Sequence, residues 1–199
     1  MPPTPTSLFS KSSQSQTNAR KASLSDRDKY WQSVAKGLEW ATPPFFSWSP
    51  SSKDRVLQTN GSLSLYNNLV TRHLGSNKNK TALIYDGPLA LNAKGSRGVK
   101  LSYSYLQLDT HVRAVALTLL KLGVTAGDVV LIYMPMVPEA VFAMLACARV
   151  GAVHAVVFGG FAAAELCKRI QDAKPKVVIY ASCGLEPNKL VPYKPAVDE

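Results

Sequence analysis

Residues 129–161 read VVLIYMPMVPEAVFAMLACARVGAVHAVVFGGF, and the order of apolar runs and breakers in them decides the fold. Val129 to Tyr133 is a short apolar run rich in β-branched residues, and Met134-Pro135 ends it, because proline can neither donate to a sheet ladder nor sit in a central strand. Pro138-Glu139 opens a helix: proline suits the first helical position, and an acid in the first turn complements the helix dipole. Val141, Met144, Leu145 and Ala148 form one apolar face, while Phe142, Ala143 and Ala146 make the other face apolar as well, so the predicted helix is buried all round. Gly151 stops it, and Val153 to Phe158 is a second apolar run that closes on Gly159-Gly160. Strand, buried helix and strand within about 30 residues make a βαβ unit, whose right-handed crossover leaves the two strands parallel. Ligands of such sheets sit beyond the carboxyl ends of the strands, so 134–137 and 158–161 border the candidate site. The double glycine there is either a close approach for a ligand or a tight turn with none.

Working outward, Ala162 to Ala173 is amphipathic, with Leu166 and Ile170 inward and Lys168, Arg169 and Asp172 outward. Pro175 precedes Val177 to Tyr180, a third parallel strand. On the other side, Ala126-Gly127-Asp128 turns the chain into the central strand after a helix capped by Ser102, striped by Leu106, Val112, Val115, Leu119 and Leu122, and stopped at Gly123. Thr81 to Tyr85 with Val99 to Leu101 predicts a hairpin around a Gly- and Lys-containing loop, and Ser64 to Leu74 a short amphipathic helix. Asp26 to Trp48 carries Trp31, Trp40, Phe45, Phe46 and Trp48 on a segment too short for its own core, so these aromatics are expected to wrap onto a larger body. Met1 to Ser25 is rich in serine, threonine and proline, with almost no large apolar residue, and is expected to be a disordered tail.

The chain has 199 residues, 46% of them hydrophobic and 18% charged, an ordinary globular profile with no apolar run of membrane-spanning length, so no membrane partner is expected. Net charge is +10, yet residues 103–199 carry 9 bases against 8 acids, so the excess lies outside the βαβ region. No aromatic-interleaved basic stripe accompanies it, which argues against a nucleic-acid partner. Cys147, Cys167 and Cys183 are odd in number and lack metal-ligand spacing, so reduced thiols inside a cell are expected, with no metal site. For His154 in its apolar strand, as for His73 and His111, the sequence nominates no serine, cysteine or carboxylate partner, so a core or edge histidine is the expectation and no catalytic residue is nominated.

The stretch YMPMVPEAVFAMLACARVGAVHAVVFGGF closely resembles the matching segment of the acetyl- and propionyl-CoA synthetases, AMP-forming ligases of the adenylating superfamily. Tyr30-Trp31, Leu38-Glu39-Trp40 and Gly123 to Asp128 resemble the same family, so the resemblance runs from about Tyr30 to Glu199. It implies an α/β fold: a partial N-terminal domain of an adenylating ligase, with parallel βαβ units preceded by an aromatic-rich N-terminal wrap. The expected organisation is a tail over 1–25, a synthetase-type N-terminal region over 26–83, and the first part of the AMP-binding domain over 84–199. The implied substrates are a short-chain carboxylate, ATP with Mg²⁺, and coenzyme A, joined to acyl-CoA with release of AMP and diphosphate.

Residue by residue, the resemblance places coenzyme A beside Phe158, Gly159 and Gly160, and beside a second element at Glu186, Pro187, Asn188 and Lys189. Acetyl-type members carry arginine at both ends of that second element. Glu186 would repel phosphate and leaves Lys189 as the cation. Ser182 to Pro187 followed by Pro192-Tyr193-Lys194-Pro195 looks more like the propionyl branch, which ranks propionate above acetate. The family's Ser/Thr/Gly-rich phosphate loop, its adenine and metal segments and its C-terminal lysine domain have no counterpart in these residues. The expectation is the first third of a ligase, inactive by itself, whether a truncated product or an incomplete gene sequence. The alternative is a catalytically silent synthetase-like binding module. Exposed apolar surface from missing layers predicts self-association. A cytoplasmic location is expected, with a mitochondrial one as the alternative, since the acid-free, serine-rich start also reads as a transit peptide.

Overall fold

The computed structural model describes residues 5–44, 47–48, 57–58, 61–87, 99–186 and 189–199. The chain divides into two compact units, Met1–Ser64 and Leu65–Glu199. In the first, α1 (Pro5–Ser25) stands where the sequence predicts a disordered tail. Residues 15–25 are exposed apart from half-buried Ser23, so this part of the helix has no buried stripe. It rests on its own ladder, on good helix formers such as Ala19, Arg20 and Lys21, and on Ser23 Oγ donating to the Arg20 carbonyl at 2.8 Å. Asp26 caps α2 (Arg27–Ala35) by accepting from the Lys29 amide at 3.1 Å. Of the aromatics expected to wrap, Trp31 is exposed and meets Tyr30 edge-on at 5.3 Å, while Trp40 Nε1 donates to the Ala35 carbonyl at 2.8 Å. Phe45 and Phe46 lie outside the described residues. A Thr42–Ser62 bridge and the two-residue pair β1 (Ser47–Trp48) and β2 (Leu57–Gln58) complete this unit.

The second unit opens with α3 (Leu65–Leu69), shorter than the helix predicted to Leu74 because Val70 leaves helical geometry at φ −129° and a 3₁₀ turn follows at Thr71–His73. β3 (Thr81–Gly87) and β4 (Val99–Ser104) pair antiparallel, so the predicted hairpin is present with longer arms; β3 also spans the 83/84 boundary drawn from the sequence. Because β4 continues through Ser102, which pairs with Ile84, the cap of α4 (Tyr105–Lys121) falls on Ser104 instead. Ser104 Oγ accepts from the Gln107 amide at 3.2 Å and Gln107 Oε1 accepts from the Ser104 amide at 2.8 Å, a reciprocal capping box.

Then come β5 (Val129–Met134), α5 (Pro138–Val150), β6 (Val153–Phe158), α6 (Ala163–Ala173) and β7 (Val177–Tyr180). The three strands form one parallel sheet in the order β6-β5-β7, with β5 in the middle and four consecutive residues, Val130 to Tyr133, fully buried. Alternation along β5 splits the core. Val130 joins Val112, Ala116, Leu119, Phe142, Ala146 and Cys147 on the side of α4 and α5, and Ile132 meets Ala140 and Ala143 there. Leu131 and Tyr133 face the other way, onto Leu166 and Val157. As predicted, α5 is buried nearly all round; only Glu139 and Arg149 are exposed. Burial also holds the Cys147 thiol up at about 11.

After β7, where the sequence analysis drew no strand, this unit has a further antiparallel pair, β8 (Cys183–Glu186) and β9 (Lys189–Pro192), followed by the short α7 (Lys194–Asp198). Pro187 and Asn188 lie outside the described residues. Among the described residues no helix is long and apolar enough to cross a membrane.

Candidate functional site

The strands of the parallel sheet end level with one another. Met134 pairs with Phe158, and Tyr133 pairs with both Val157 and Tyr180. Three chain segments therefore leave from one carboxyl edge: Pro135–Val137 after β5, Gly159–Phe161 after β6, and Ala181 into β8 after β7. Their backbones are tied to β5. The Tyr133 hydroxyl donates to the Phe161 carbonyl at 2.8 Å, and the Ala181 amide donates to the Tyr133 carbonyl at 3.3 Å. The amides of Tyr193 and Lys194 both donate to the Ser182 carbonyl, at 3.0 and 3.1 Å, which folds the β8–β9 pair back on itself.

This edge presents apolar side chains to solvent. Met136 is 86% exposed and Phe158 69%, with Phe158 and Phe161 ring centroids 6.0 Å apart. Gly160 sits at φ +93°, a left-handed conformation that a side-chain-bearing residue adopts only at a cost, and this conformation turns the chain back over the sheet. The expected open approach at Gly159 is taken by the protein itself: a Cβ placed there would lie 2.7 Å from Tyr193 Cζ. At Gly160 the same construction meets only Val191, at an ordinary 3.7 Å. Lys189 is exposed at the start of β9, directly across the ladder from Glu186. Phe158, Gly159 and Gly160 thus leave the same edge as the segment entering the β8–β9 pair, with Glu186 and Lys189 paired at the turn end of that hairpin. The described residues do not extend to Pro187 and Asn188.

The strongest electrostatic arrangements lie at the opposite edge. Asp128 Oδ2, just before β5, accepts from Lys176 Nζ at 2.9 Å and from the Thr125 amide and hydroxyl at 2.7 and 2.8 Å. These hydrogen bonds, that from Lys176 foremost, hold its carboxyl down at about 2. Tyr66 donates to buried Asp109 and lies under the Arg149 guanidinium at 4.8 Å, near the end of α5 that points away from the candidate site. Desolvation first, then the Asp109 carboxylate, pushes the Tyr66 phenol far above its usual range, so it stays protonated as a donor. His111 stacks on Phe142 at 4.8 Å, a packing contact. Among the described residues no group of three or more His, Cys, Asp or Glu could hold a metal ion.

What the sequence did not disclose at this edge is Tyr193, buried and in ring contact with Tyr133 at 5.1 Å. Its only signal was an aromatic between Pro192 and Pro195.

A parallel α/β sheet with irregular turns converging at its carboxyl edge defines a class of small-molecule-binding domains. This chain belongs to the AMP-binding enzyme family, which matches over residues 70–198. It is 40% identical over 184 residues to the mitochondrial acyl-CoA synthetase short-chain family member 3 of Bos taurus, covering 89% of this chain and 25% of that protein. It is 39% identical over 184 residues to the human protein of the same name, with the same coverage. Against the acetyl-coenzyme A synthetase of Salmonella typhi it is 42% identical over 183 residues, covering 90% of this chain and 27% of that one. The chain spans about a quarter of the length of the curated relatives it matches.

Proposed function

We propose that this chain is a portion of an AMP-forming short-chain carboxylate–CoA ligase, propionate ahead of acetate, and that its sheet edge faces coenzyme A. In that reaction a carboxylate oxygen attacks the α-phosphorus of ATP and diphosphate leaves. The thiol sulfur of coenzyme A then displaces AMP from the acyl carbon. The observation that supports the assignment is that exposed Phe158 and the Gly159-Gly160 turn leave the same carboxyl edge as the segment that enters the β8–β9 pair, with Val191 of β9 beside Gly160 and Lys189 at the turn end of that pair. Phe158 offers a face for a ring or an apolar arm, and Lys189 brings a cation toward phosphate. The 199 residues are proposed to be inactive alone, because stabilising charge on a transferred phosphoryl group requires a phosphate loop, and no stretch of this sequence has that composition.

The test is a calorimetric titration of the 199-residue chain with coenzyme A, paired with a turnover assay using propionate, ATP, Mg²⁺ and coenzyme A. Coenzyme binding is expected without acyl-CoA above blank. Lys189→Ala should weaken binding several-fold, since an exposed single charge contact is worth roughly 1 kcal/mol or less. Gly160→Val should weaken it further, through the strain at φ +93°. Undiminished binding in both variants would overturn the assignment of this edge, and turnover by the chain alone would overturn its inactivity. A silent synthetase-like module makes the same binding prediction and is separated from a ligase by assaying a longer chain that carries the remaining family segments.

We place the protein in the cytoplasm. The mitochondrial alternative is favoured by α1, which carries Lys11, Arg20 and Lys21 and no acid. Imaging a fusion to the fluorescent protein at the C-terminus decides between them.

A further inference from the structure

Two glycines far apart in sequence, Gly159 after β6 and Gly184 in β8, owe their lack of a side chain to the same residue. A Cβ at Gly159 would lie 2.7 Å from Tyr193 Cζ and 3.0 Å from Cε2; a Cβ at Gly184 would lie 2.8 and 3.3 Å from the same two atoms. In both cases the phenol oxygen is closer still. Neither glycine has a positive φ, in contrast to Gly160, so backbone conformation does not require glycine at either place. What requires it is the phenol, wedged between the two turns.

The base of the wedge is fixed as well. Tyr193 is only 6% exposed, its ring packs against Tyr133 within the core formed with Leu131, Val157 and Leu166, and its amide is bonded to the Ser182 carbonyl. Tyr133 in turn holds the Phe161 carbonyl through its own hydroxyl. The two tyrosines therefore connect β5 to both turns, one through a hydrogen bond and one through contact. Val191 of β9 also stands beside the glycine turn, 3.7 Å from where a Gly160 Cβ would lie.

We infer that Tyr193 is a positioning residue: its phenol sets the separation between the Phe158–Phe161 turn and the β8–β9 pair that carries Lys189, and so sets the shape of the edge. The consequence for coenzyme A rests on the function proposed above; the wedge itself does not. A gap set by a rigid aromatic with two rotatable side-chain bonds is held at little entropic cost, which is what preorganisation of a binding edge needs.

The test is a substitution cycle in the 199-residue chain, read by thermal midpoint and by coenzyme A titration. Gly184→Ala is expected to lower the midpoint in the parent and to lose at least half of that effect in Tyr193→Ala, where the clashing atoms are gone. Gly160→Ala, whose cost is conformational, should lower it equally in both backgrounds. If Tyr193→Ala does not fold, Tyr193→Phe serves: removing the oxygen nearest both glycines should still relieve part of the Gly184→Ala penalty. An equal Gly184→Ala penalty in every background overturns the wedge. In the titration, Tyr193→Ala should weaken coenzyme A about tenfold. Leu166→Val, which disturbs the same core away from the turns, should leave affinity unchanged. Equal losses in the two variants would make Tyr193 a core residue and nothing more. If the parent itself binds no coenzyme A, the coenzyme assignment fails, and the glycine cycle alone decides the positioning role.

Discussion

Asp128 shows how a single side chain can strap two strand entries together. Its carboxylate collects Lys176 from the approach to β7 and Thr125 from the approach to β5. Its pKa in the fold, about 2 against an ordinary 3.8, fixes the sign of the pH effect. A depressed acid contributes stability that is fully present above the unfolded value and is lost as pH falls through the folded one. Stability should therefore drop between about pH 4 and pH 2. Asp128→Asn should flatten that part of the acid limb while leaving the rest of the curve in place. Urea midpoints at stepped pH measure it, and an acid limb identical to the parent's would remove Asp128 as a cause. The pair is half-exposed, so added salt should shrink the effect.

At the scale of elements, the junction between α5 and β6 is held by both conformation and crowding. Gly151 takes φ +79° at the helix end, the carbonyl of Cys147 four residues earlier accepts the Gly151 and Ala152 amides, and a Cβ at Gly151 would come within 3.1 Å of the Ala126 side chain. Gly151→Ala should cost about 1–2 kcal/mol, from the left-handed backbone plus that crowding. The check is a denaturant midpoint that moves while the slope stays constant. An unchanged midpoint would mean that α5 can end otherwise. This junction was also the most legible in sequence, because proline at the start, glycine at the end and a change from helical spacing to a continuous apolar run all agree between residues 129 and 158. Legibility fell where signals competed. Ser102 and Ser104 are both plausible caps, and only the pairing of Ser102 with Ile84 removes the first. The β8–β9 pair escaped because each strand has four residues and the first contains Gly184, a weak strand former whose presence is explained by a tyrosine nine positions on. The carboxyl edge of the candidate site was legible from the strand–glycine pattern. Its filling by Tyr193 was not, since contact between residues 159 and 193 is a tertiary fact that no local spacing encodes.

At the scale of the whole molecule, apolar surface remains uncovered. Val153 and Val156 on the edge strand β6 are 53% and 55% exposed, beside Phe158 and Met136, and Leu117, Leu120 and Leu122 on and after α4 are more than half exposed. An edge strand with exposed apolar residues is a template for pairing with another copy. We expect concentration-dependent association at micromolar protein, measured by sedimentation velocity. Val156→Lys, which puts a charge on that strand, should reduce it. A chain that stays monomeric at every concentration tested would count against an adhesive edge. The central position of β5 has a further consequence, which concerns synthesis. The ribosome releases the middle strand first, and its second neighbour, β7, begins about 40 residues after β5 ends. At ordinary elongation speeds of about 5–20 residues per second, the β7 side of β5 stays open for roughly 2 to 8 s on every nascent chain. The fully buried strand of the sheet is therefore left with one side open during synthesis, which makes this interval the nascent chain's time of greatest exposure to aggregation and to chaperones.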